Sequence, residues 1–362
     1  MNRRSLKQIW IGNIFLLLIV FLIKAASFFP KWIEEVYSTR WYPAIAAFLR
    51  SVFGWIPFGV GDILYAIFFL LIIIAIVRII VAIFKKRVSW YSFFYGVSKL
   101  IRIVLNVYIV FNILWGLNYD RLGISYQLNL IPSQYETNEL QTLTDSLISR
   151  VNFYRSVVTN EEAYQHQNKK IFQQAAEAYH KAETQYPFLL YRHLSIKNSL
   201  YGYLGNYLGF LGYYNPFSGE ANVNTTVPAF IIPYVTCHEI GHQLGYGSED
   251  EASFAGFLAV RSYNNNLFNY SMCFDLFNYA NNELFARDSI AAKNNFHKLD
   301  TLVRFDQKNY RRFLLAHRNP VEPLITKFYS EYLKANNQPE GIKTYSQITA
   351  WLIAFQKKYG TL

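Results

Sequence analysis

Hydrophobic residues are concentrated in three long runs within the first third of the 362-residue chain. The runs cover residues 9–29, 62–84 and 97–119, and each is long enough to cross the apolar part of a bilayer, which takes about 20 residues. The second run contains ILYAIFFLLIIIAIVRIIVAIF and is interrupted only by Arg78. A buried core helix of this length normally keeps a polar face, which this run lacks. The pattern therefore predicts three transmembrane helices.

The ends of two runs carry further signals. Trp115 and Tyr119 close the third run, where aromatic side chains are typical anchors at the membrane surface. Basic residues precede the first run and Ala25-Ala26-Ser27 lie at its end, so a cleaved signal peptide is an alternative there. The length of the run and the position of Lys24 favour a retained anchor.

Beyond residue 119 the pattern changes to shorter amphipathic segments. Residues 222–232 are rich in β-branched side chains and predict an edge strand, and the Gly- and Tyr-rich residues 199–222 predict loop or strand. The sequence therefore predicts a mainly helical domain with a small sheet over 120–362, after a membrane region over 1–119. Apolar residues recur at helical spacing over 137–158, 160–184, 251–269, 273–292, 304–317, 320–335 and 345–358.

The net charge of +11 is not evenly spread, because residues 1–119 carry +10 and residues 120–362 carry only +1. A nucleic-acid-binding protein would carry its basic surface on the folded domain, so no nucleic-acid partner is predicted. Here the basic residues flank the apolar runs, which is typical of membrane topology signals. The predicted partner of this region is therefore the lipid bilayer.

The positions of the basic residues predict an orientation. Arg3, Arg4 and Lys7 precede the first run, Lys85, Lys86 and Arg87 lie between the second and third, and Lys99 lies at the start of the third. Because short cytoplasmic segments are enriched in Lys and Arg, both segments are expected in the cytoplasm. Three crossings then place residues 120–362 on the outer, periplasmic side of the cytoplasmic (inner) membrane, as part of a multi-pass protein.

One motif indicates chemistry. His238, Glu239 and His242 form H-E-x-x-H, between Pro233, which suits the start of a helix, and Gly245, which suits its end. Histidines four residues apart on a helix share one face and can bind one Zn²⁺. Glu239 is too close in sequence to be a third ligand, and it can instead take a proton from water that the metal activates. The motif predicts two zinc ligands and a general base.

A catalytic zinc site needs a third protein ligand, and the next acidic residues are the candidates. Glu249 lies three residues before Ala252, on the extension of a stripe of small residues, and is expected to point toward the histidines. Glu251 is the alternative, although with Ser248 it also fits a capping box at the start of the next helix. Asp250 is expected to be solvated. The two cysteines of the chain exclude a multi-cysteine zinc module.

The motif residues also resemble known metallopeptidases. Glu249 and Ala252 form E-x-x-A after H-E-x-x-H, which resembles the zinc-glutamate (gluzincin) peptidases, including membrane-bound CAAX-type proteases. Ser253 stands where those enzymes have an Asp that supports a histidine ligand. Nearly the whole chain resembles an uncharacterised bacterial family of membrane-anchored, zincin-like proteins of unknown function. That resemblance implies a zincin-like, mostly helical α+β domain, and it rests on the three-helix N-terminal region and on residues 212–224, 237–245, 248–254 and 332–345.

Further candidates are weaker. Zincins hold a peptide along an edge strand, and residues 222–232 could serve in this role. Tyr345 and His317 could stabilise an oxyanion, although a structural role is the simpler interpretation for both.

The first functional hypothesis is a membrane-anchored, zinc-dependent metallopeptidase that acts on a peptide or protein substrate with Glu239 as general base. The alternative is a non-catalytic, zinc-binding, membrane-anchored binding or assembly protein, against which the intact Glu239 argues. An intramembrane protease is a third hypothesis, which the polar residues between 233 and 260 disfavour.

Overall fold

The computed structural model of the chain describes residues 3–86, 89–338 and 347–362. The described chain is mainly helical with one small sheet, which confirms the fold class predicted from the sequence. The α-helices are, in order, α1 (Arg3–Ser27), α2 (Pro30–Trp32), α3 (Tyr42–Phe53), α4 (Val60–Phe84), α5 (Trp90–Leu114), α6 (Gly123–Leu128), α7 (Thr137–Val157), α8 (Asn160–Tyr164), α9 (Asn168–Ala182), α10 (Gly202–Leu208), α11 (Ile232–Gln243), α12 (Glu249–Tyr263), α13 (Asn266–Arg287), α14 (Ser289–Lys298), α15 (Thr301–His317), α16 (Glu322–Ala335) and α17 (Ile348–Tyr359).

Three of these helices are long and apolar enough to cross a membrane: Gln8–Ser27 within α1, all of α4 and all of α5. This confirms the three predicted spans as candidate membrane helices. Helix α1 packs along α5, whereas no residue in the most apolar window of α4 is buried. Helix α4 therefore stands apart from the α1–α5 pair.

The third span lies closer to the N-terminus than the predicted 97–119. Helix α5 begins at Trp90, where Ser89 caps its first turn, and it ends at Leu114. Trp115 leaves the helical conformation and a 3-10 turn follows over Gly116–Asp120. The prediction that Trp115 is an anchor at the membrane surface is wrong, because its side chain is buried against Phe111, Tyr119 and Tyr214.

The segment between the first two spans folds onto the rest of the protein. A π-helix over Ile33–Trp41 leads into α3. One face of α3, which includes Leu49 and Arg50, is buried, and the opposite face leaves Phe48 exposed. This region is therefore amphipathic.

The sheet has the strand order β1-β3-β2, with β1 (Ile196–Asn198) parallel and β2 (Gly212–Asn215) antiparallel to β3 (Glu220–Val223). The prediction of an edge strand over 222–232 is wrong, because β3 is the central strand and the chain then turns away. Asn224 accepts a hydrogen bond from the backbone N–H of Thr226, which closes that turn. The free edge that lies near α11 belongs to β2.

Helix α11 forms the centre of the fold. It packs against α9, α12 and α13 on its helical side and against β2 and β3 on the other. Every residue of α11 except His238 is buried. The helix that carries the H-E-x-x-H motif is therefore held on all sides by the core.

Candidate metal site

The local sequence fixes the two ends of α11. Pro233 occupies its first turn, where the missing N–H of proline costs nothing, and Gly245 follows its end with a φ of 87°. The start of the helix expected at Pro233 and its end expected at Gly245 are both confirmed. The rings of His238 and His242 lie one helical turn apart, with centroids separated by 4.8 Å and planes at 88°.

Helix α12 brings a carboxylate to these two rings. Glu249 is its first residue, and its Oε2 lies 3.1 Å from Nε2 of His238 and 3.3 Å from Nε2 of His242. The candidate ligand atoms of the three residues all lie within 4.8 Å of one another. The structure thus brings together the three residues that the sequence nominates, and the exposed side-chain fractions are 14% for His238, 9% for His242 and 5% for Glu249.

The alternative third ligand points elsewhere. Glu251 accepts a hydrogen bond from the backbone N–H of Ile124 at 2.7 Å and lies against Gly123. Its neighbour Asp250 is only 6% exposed and accepts a hydrogen bond from Nε1 of Trp351 at 2.9 Å, so the expectation of a solvated Asp250 is wrong. Glu249 is therefore the only one of these three acids that faces the histidines.

Each histidine is oriented by a partner on its other ring nitrogen. Nδ1 of His242 lies 2.7 Å from the carbonyl oxygen of Tyr246, so Nδ1 donates its proton there and Nε2 is the ring nitrogen that faces Glu249. Nδ1 of His238 lies 3.0 Å from Oγ of Ser253. Ser253 is therefore the residue that supports the ring of His238.

Glu239 lies beside these three residues as a buried carboxyl, and not all of its hydrogen-bonding capacity is used by the described residues. It is 4% exposed, and its Oε2 has no hydrogen-bond partner among the described residues. Burial raises the pKa of Glu239 to about 8. A carboxyl whose pKa lies near neutrality is suited to both accepting and returning a proton.

The carboxylate of Glu249 controls the charge of the group. Burial favours its neutral form, but the positive charge of His242 and the hydrogen bonds from both histidines outweigh burial and hold its pKa well below the usual range. Burial likewise disfavours the charged form of His242, but Glu249 raises the pKa of that imidazole to about 9. The negative charge of Glu249 is therefore balanced by the positive charge of His242.

A tyrosine outside every sequence motif completes the surroundings of Glu249. The hydroxyl of Tyr329, on α16, donates a hydrogen bond to Oε1 of Glu249 at 2.5 Å. This leaves Oε2 to the histidines. Tyr329 lies 80 residues from Glu249 in the chain and belongs to no motif, so no sequence signal could have found it.

A family model described as "protein of unknown function (DUF3810)" matches residues 37–353. The chain belongs to the DUF3810 family. The matched range contains α4, α5 and every residue of the candidate site, and membership confirms the expected relation to an uncharacterised family. No curated protein and no solved structure matches the chain.

In this DUF3810 protein, the backbone carbonyls at the end of α11 are bound by residues from the N-terminal third. Trp115 donates its indole N–H to the carbonyl of His242 at 3.0 Å. Tyr42 and Arg50 donate to the carbonyl of Gln243, at 2.7 and 3.2 Å. Because the last carbonyls of a helix have no partner within the helix, these contacts fix the end of α11.

The two candidates for oxyanion stabilisation are not part of the described site. His317 donates its Nδ1–H to the carbonyl of Phe313 at 2.9 Å and packs on Tyr207. Tyr345 lies outside the described residues.

Proposed function

We propose that this DUF3810 protein is a membrane-bound, zinc-dependent metallopeptidase. The observation that carries the proposal is the convergence of His238, His242 and Glu249 beside Oε2 of Glu239, which has no hydrogen-bond partner in the described part of the chain. Two imidazoles, one carboxylate and a neighbouring base are the groups that metal-assisted hydrolysis requires.

The three donors fit zinc. Two imidazole nitrogens and one carboxylate oxygen form a ligand set typical of catalytic zinc sites. Zinc–ligand bonds of about 2.1 Å in a tetrahedron place neighbouring ligand atoms about 3.4 Å apart. The distances of 3.1 and 3.3 Å from Glu249 Oε2 to the two Nε2 atoms are close to that edge length.

A zinc ion held by these residues would supply Lewis acidity, which polarises a carbonyl and acidifies water. Glu239 then takes a proton from the attacking water at Oε2, while the oxygen of that water adds to the carbonyl carbon of the peptide bond. When the C–N bond breaks, Glu239 passes the proton to the leaving amine, so one water is consumed for each bond that is cut.

A peptide substrate is supported by the sheet beside the motif. Strand β2 forms one end of the sheet, and Gly212 at its start lies against Glu239. An extended peptide that adds to this edge would be held by main-chain hydrogen bonds next to the general base.

The non-catalytic alternative has less support. A zinc site that only stabilises a fold needs four closed ligands and no base. Oε2 of Glu239, which no described residue binds, would then be a buried polar group without a function, at a cost of about 1–3 kcal/mol.

The proposal is tested on the full-length protein in detergent. We expect about one zinc per chain in the wild type and in Glu239→Gln, a loss of zinc in His242→Ala, and no change in the exposed control His297→Ala. Hydrolysis of a mixed peptide substrate should fall at least 10³-fold in Glu239→Gln. Full activity of Glu239→Gln, or undiminished zinc in His242→Ala, would contradict the proposal.

We further propose that residues 120–362 lie on the outer face of the cytoplasmic membrane. The argument is the basic excess that precedes the first span and separates the second from the third. A reporter active only in the periplasm, fused after Leu362, should be active, and one active only in the cytoplasm should be silent. The reverse pattern would contradict this orientation.

A further inference from the structure

The candidate site lies at the level where the membrane helices end. Trp115 directly follows the last residue of α5, and its indole ring is centred 6.4 Å from the ring of His242. On the other side of the sheet, Val60 and Gly61, which begin α4, donate their backbone N–H groups to Glu220 of β3. The metal-binding end of α11 is therefore separated from two membrane helices by little more than one layer of side chains.

Aromatic side chains connect the site to both helices. The indole of Trp115 packs on Tyr119 and Tyr214, with ring centroids at 4.9 and 5.4 Å. The hydroxyls of Tyr119 and Tyr332 lie 3.2 Å apart, and Tyr332 stacks on Tyr329. Tyr65, early in α4, is close enough to Tyr214 and Tyr332 to interact with them electrostatically. We name this set the aromatic collar: Tyr65, Trp115, Tyr119, Tyr214, Tyr329 and Tyr332.

The aromatic collar faces a gap in the membrane part. Helix α4 contributes Tyr65 and the end of α5 leads into Trp115, yet the apolar length of α4 is unburied and does not pack along the α1–α5 pair. In a bilayer, lipid chains must fill the space between them, because empty apolar space is not stable there. The collar therefore lies at the top of an opening that leads sideways into lipid.

The outer surface beside this opening is also apolar. Leu200 donates its N–H to Asp62 Oδ2 at 2.7 Å, which places α10 at the entry of α4, and α10 packs against α16. The side chains on this surface are large and exposed, a pattern that a water-facing surface rarely has, and they are Leu200, Tyr203, Leu204, Val321, Leu324 and Phe328. We infer that this surface rests in the interfacial layer of the membrane.

From these contacts we propose that the substrate is itself anchored in the bilayer: a peptide chain cut close to the point where it leaves the membrane, which reaches the metal site sideways between α4 and the α1–α5 pair. The inference rests on the proposed peptidase function and adds the class of substrate. A peptide on β2 beside Glu239 would have the collar, and not bulk water, along its path to the membrane.

The test uses full-length, zinc-loaded protein in phosphatidylcholine vesicles. The probe is a peptide library with ten randomised residues, either free or with a dipalmitoyl anchor at one or the other end. We expect the anchored forms to be cut at least tenfold faster, at bonds within about five residues of the anchor, which an extended chain covers in about 17 Å. Mass spectrometry reads the cleavage positions.

The outcomes separate the inference from the proposed function. Equal rates for free and anchored peptides, or cuts confined to the residues far from the anchor, would overturn the inference and leave the peptidase standing. Cleavage of no library by zinc-loaded protein would overturn both.

The lateral route has its own test. In Tyr65→Cys/Tyr332→Cys, a reversible bis-methanethiosulfonate bridge should join α4 to α16, while the native Cys237 and Cys273 are fully buried and do not react. Bridging should lower cleavage of the anchored library at least tenfold with zinc retained, and reduction should restore it. An undiminished rate in the bridged protein would rule the route out.

A second variant does not depend on the bridge. Phe328→Asp places a charge on the apolar surface of α16 and should lower cleavage of the anchored library at least fivefold. Ile290→Asp is the matched control, because Ile290 is equally exposed but lies on α14, which packs against α7 and α13. Equal effects of the two substitutions would contradict the membrane contact.

Discussion

At the scale of single residues, the site depends on a position with no side chain. Gly212 of β2 lies so close to α11 that a Cβ there would be 2.8 Å from both Cγ and Cδ of Glu239. Carbon atoms do not approach so closely without displacement. The carboxyl of Glu239 therefore occupies the space that any residue other than glycine would take at position 212.

Gly212→Ala should displace the general base without touching a ligand. We expect hydrolysis to fall at least 10²-fold, because a shift of about 1 Å in a catalytic group can cost that factor. Zinc content, measured by elemental analysis, should stay at the wild-type value. Gly96→Ala is the control, since an added Cβ there meets open space; a loss of zinc in Gly212→Ala would contradict this role.

The residues of the site were predictable to different extents. His238, Glu239 and His242 follow from spacing on one helix, and Glu249 follows from its place before the small residues of α12. Gly212 and Tyr329 could not be predicted, because their roles arise only when β2 and α16 fold against α11 and α12.

At the scale of elements, the sequence was sufficient where one segment determines its own structure. The T-x-x-E pattern of Thr159 and Glu162, which is typical of a capping box, forms one in the structure and begins α8. The prediction that this strand lies at an edge of the sheet was wrong, because composition does not distinguish a central strand from an edge strand when both are short. The predicted end of the third span was also wrong. An aromatic residue such as Trp115 is equally suited to contact with lipid and to a buried hydrogen bond, so its type does not locate the end of the helix.

One ion pair connects the π-helix before α3 to the end of α11. Glu34 and Arg121 are nearly inaccessible and meet at 2.7 Å, and Arg121 also donates to the carbonyl of Gly245. Glu34 further accepts from the backbone N–H of Gly123. Burial disfavours the charged form of Glu34, but Arg121 and Gly123 outweigh it and lower its pKa.

Glu34→Gln should destabilise the full-length protein by about 3 kcal/mol at pH 7, because the charge of Arg121 is left buried without its counter-ion. Since the folded state lowers the pKa of Glu34, the stability that its charge contributes is complete above the unfolded value of 4.5 and is lost as the pH falls below it.

The measurement is thermal unfolding in detergent from pH 7 to pH 3. The difference in Tm between wild type and Glu34→Gln should shrink as the pH falls. Glu161→Gln, at an exposed carboxylate on α8, is the control and should show no such difference. A difference in Tm that stays constant with pH would contradict the stabilising role of the Glu34–Arg121 ion pair.

At the scale of the whole molecule, the division into a membrane region over 1–119 and a second domain over 120–362 stays a prediction, and the contacts between the two parts are extensive. Tyr42, Arg50 and Trp115 all donate to carbonyls of α11, and Glu220 of β3 binds the start of α4. The N-terminal third therefore does more than hold the protein at a membrane. It completes the helix on which the candidate site is built.

The segment 120–362 produced alone should consequently fail to hold zinc. Without Tyr42 and Arg50, the carbonyl of Gln243 loses both side-chain donors, and without Trp115 the carbonyl of His242 keeps only the backbone N–H of Gly245. Each lost donor to a buried group costs about 1–3 kcal/mol. Together with the newly exposed apolar surface, this loss is comparable to the total stability of about 5–15 kcal/mol of a typical domain. A chain of residues 30–362 is the matched control, because it lacks α1 but keeps every donor, and we expect it to bind zinc in detergent as the full chain does. Tight zinc binding by 120–362, measured by calorimetry, would mean that α11 keeps its geometry without these donors.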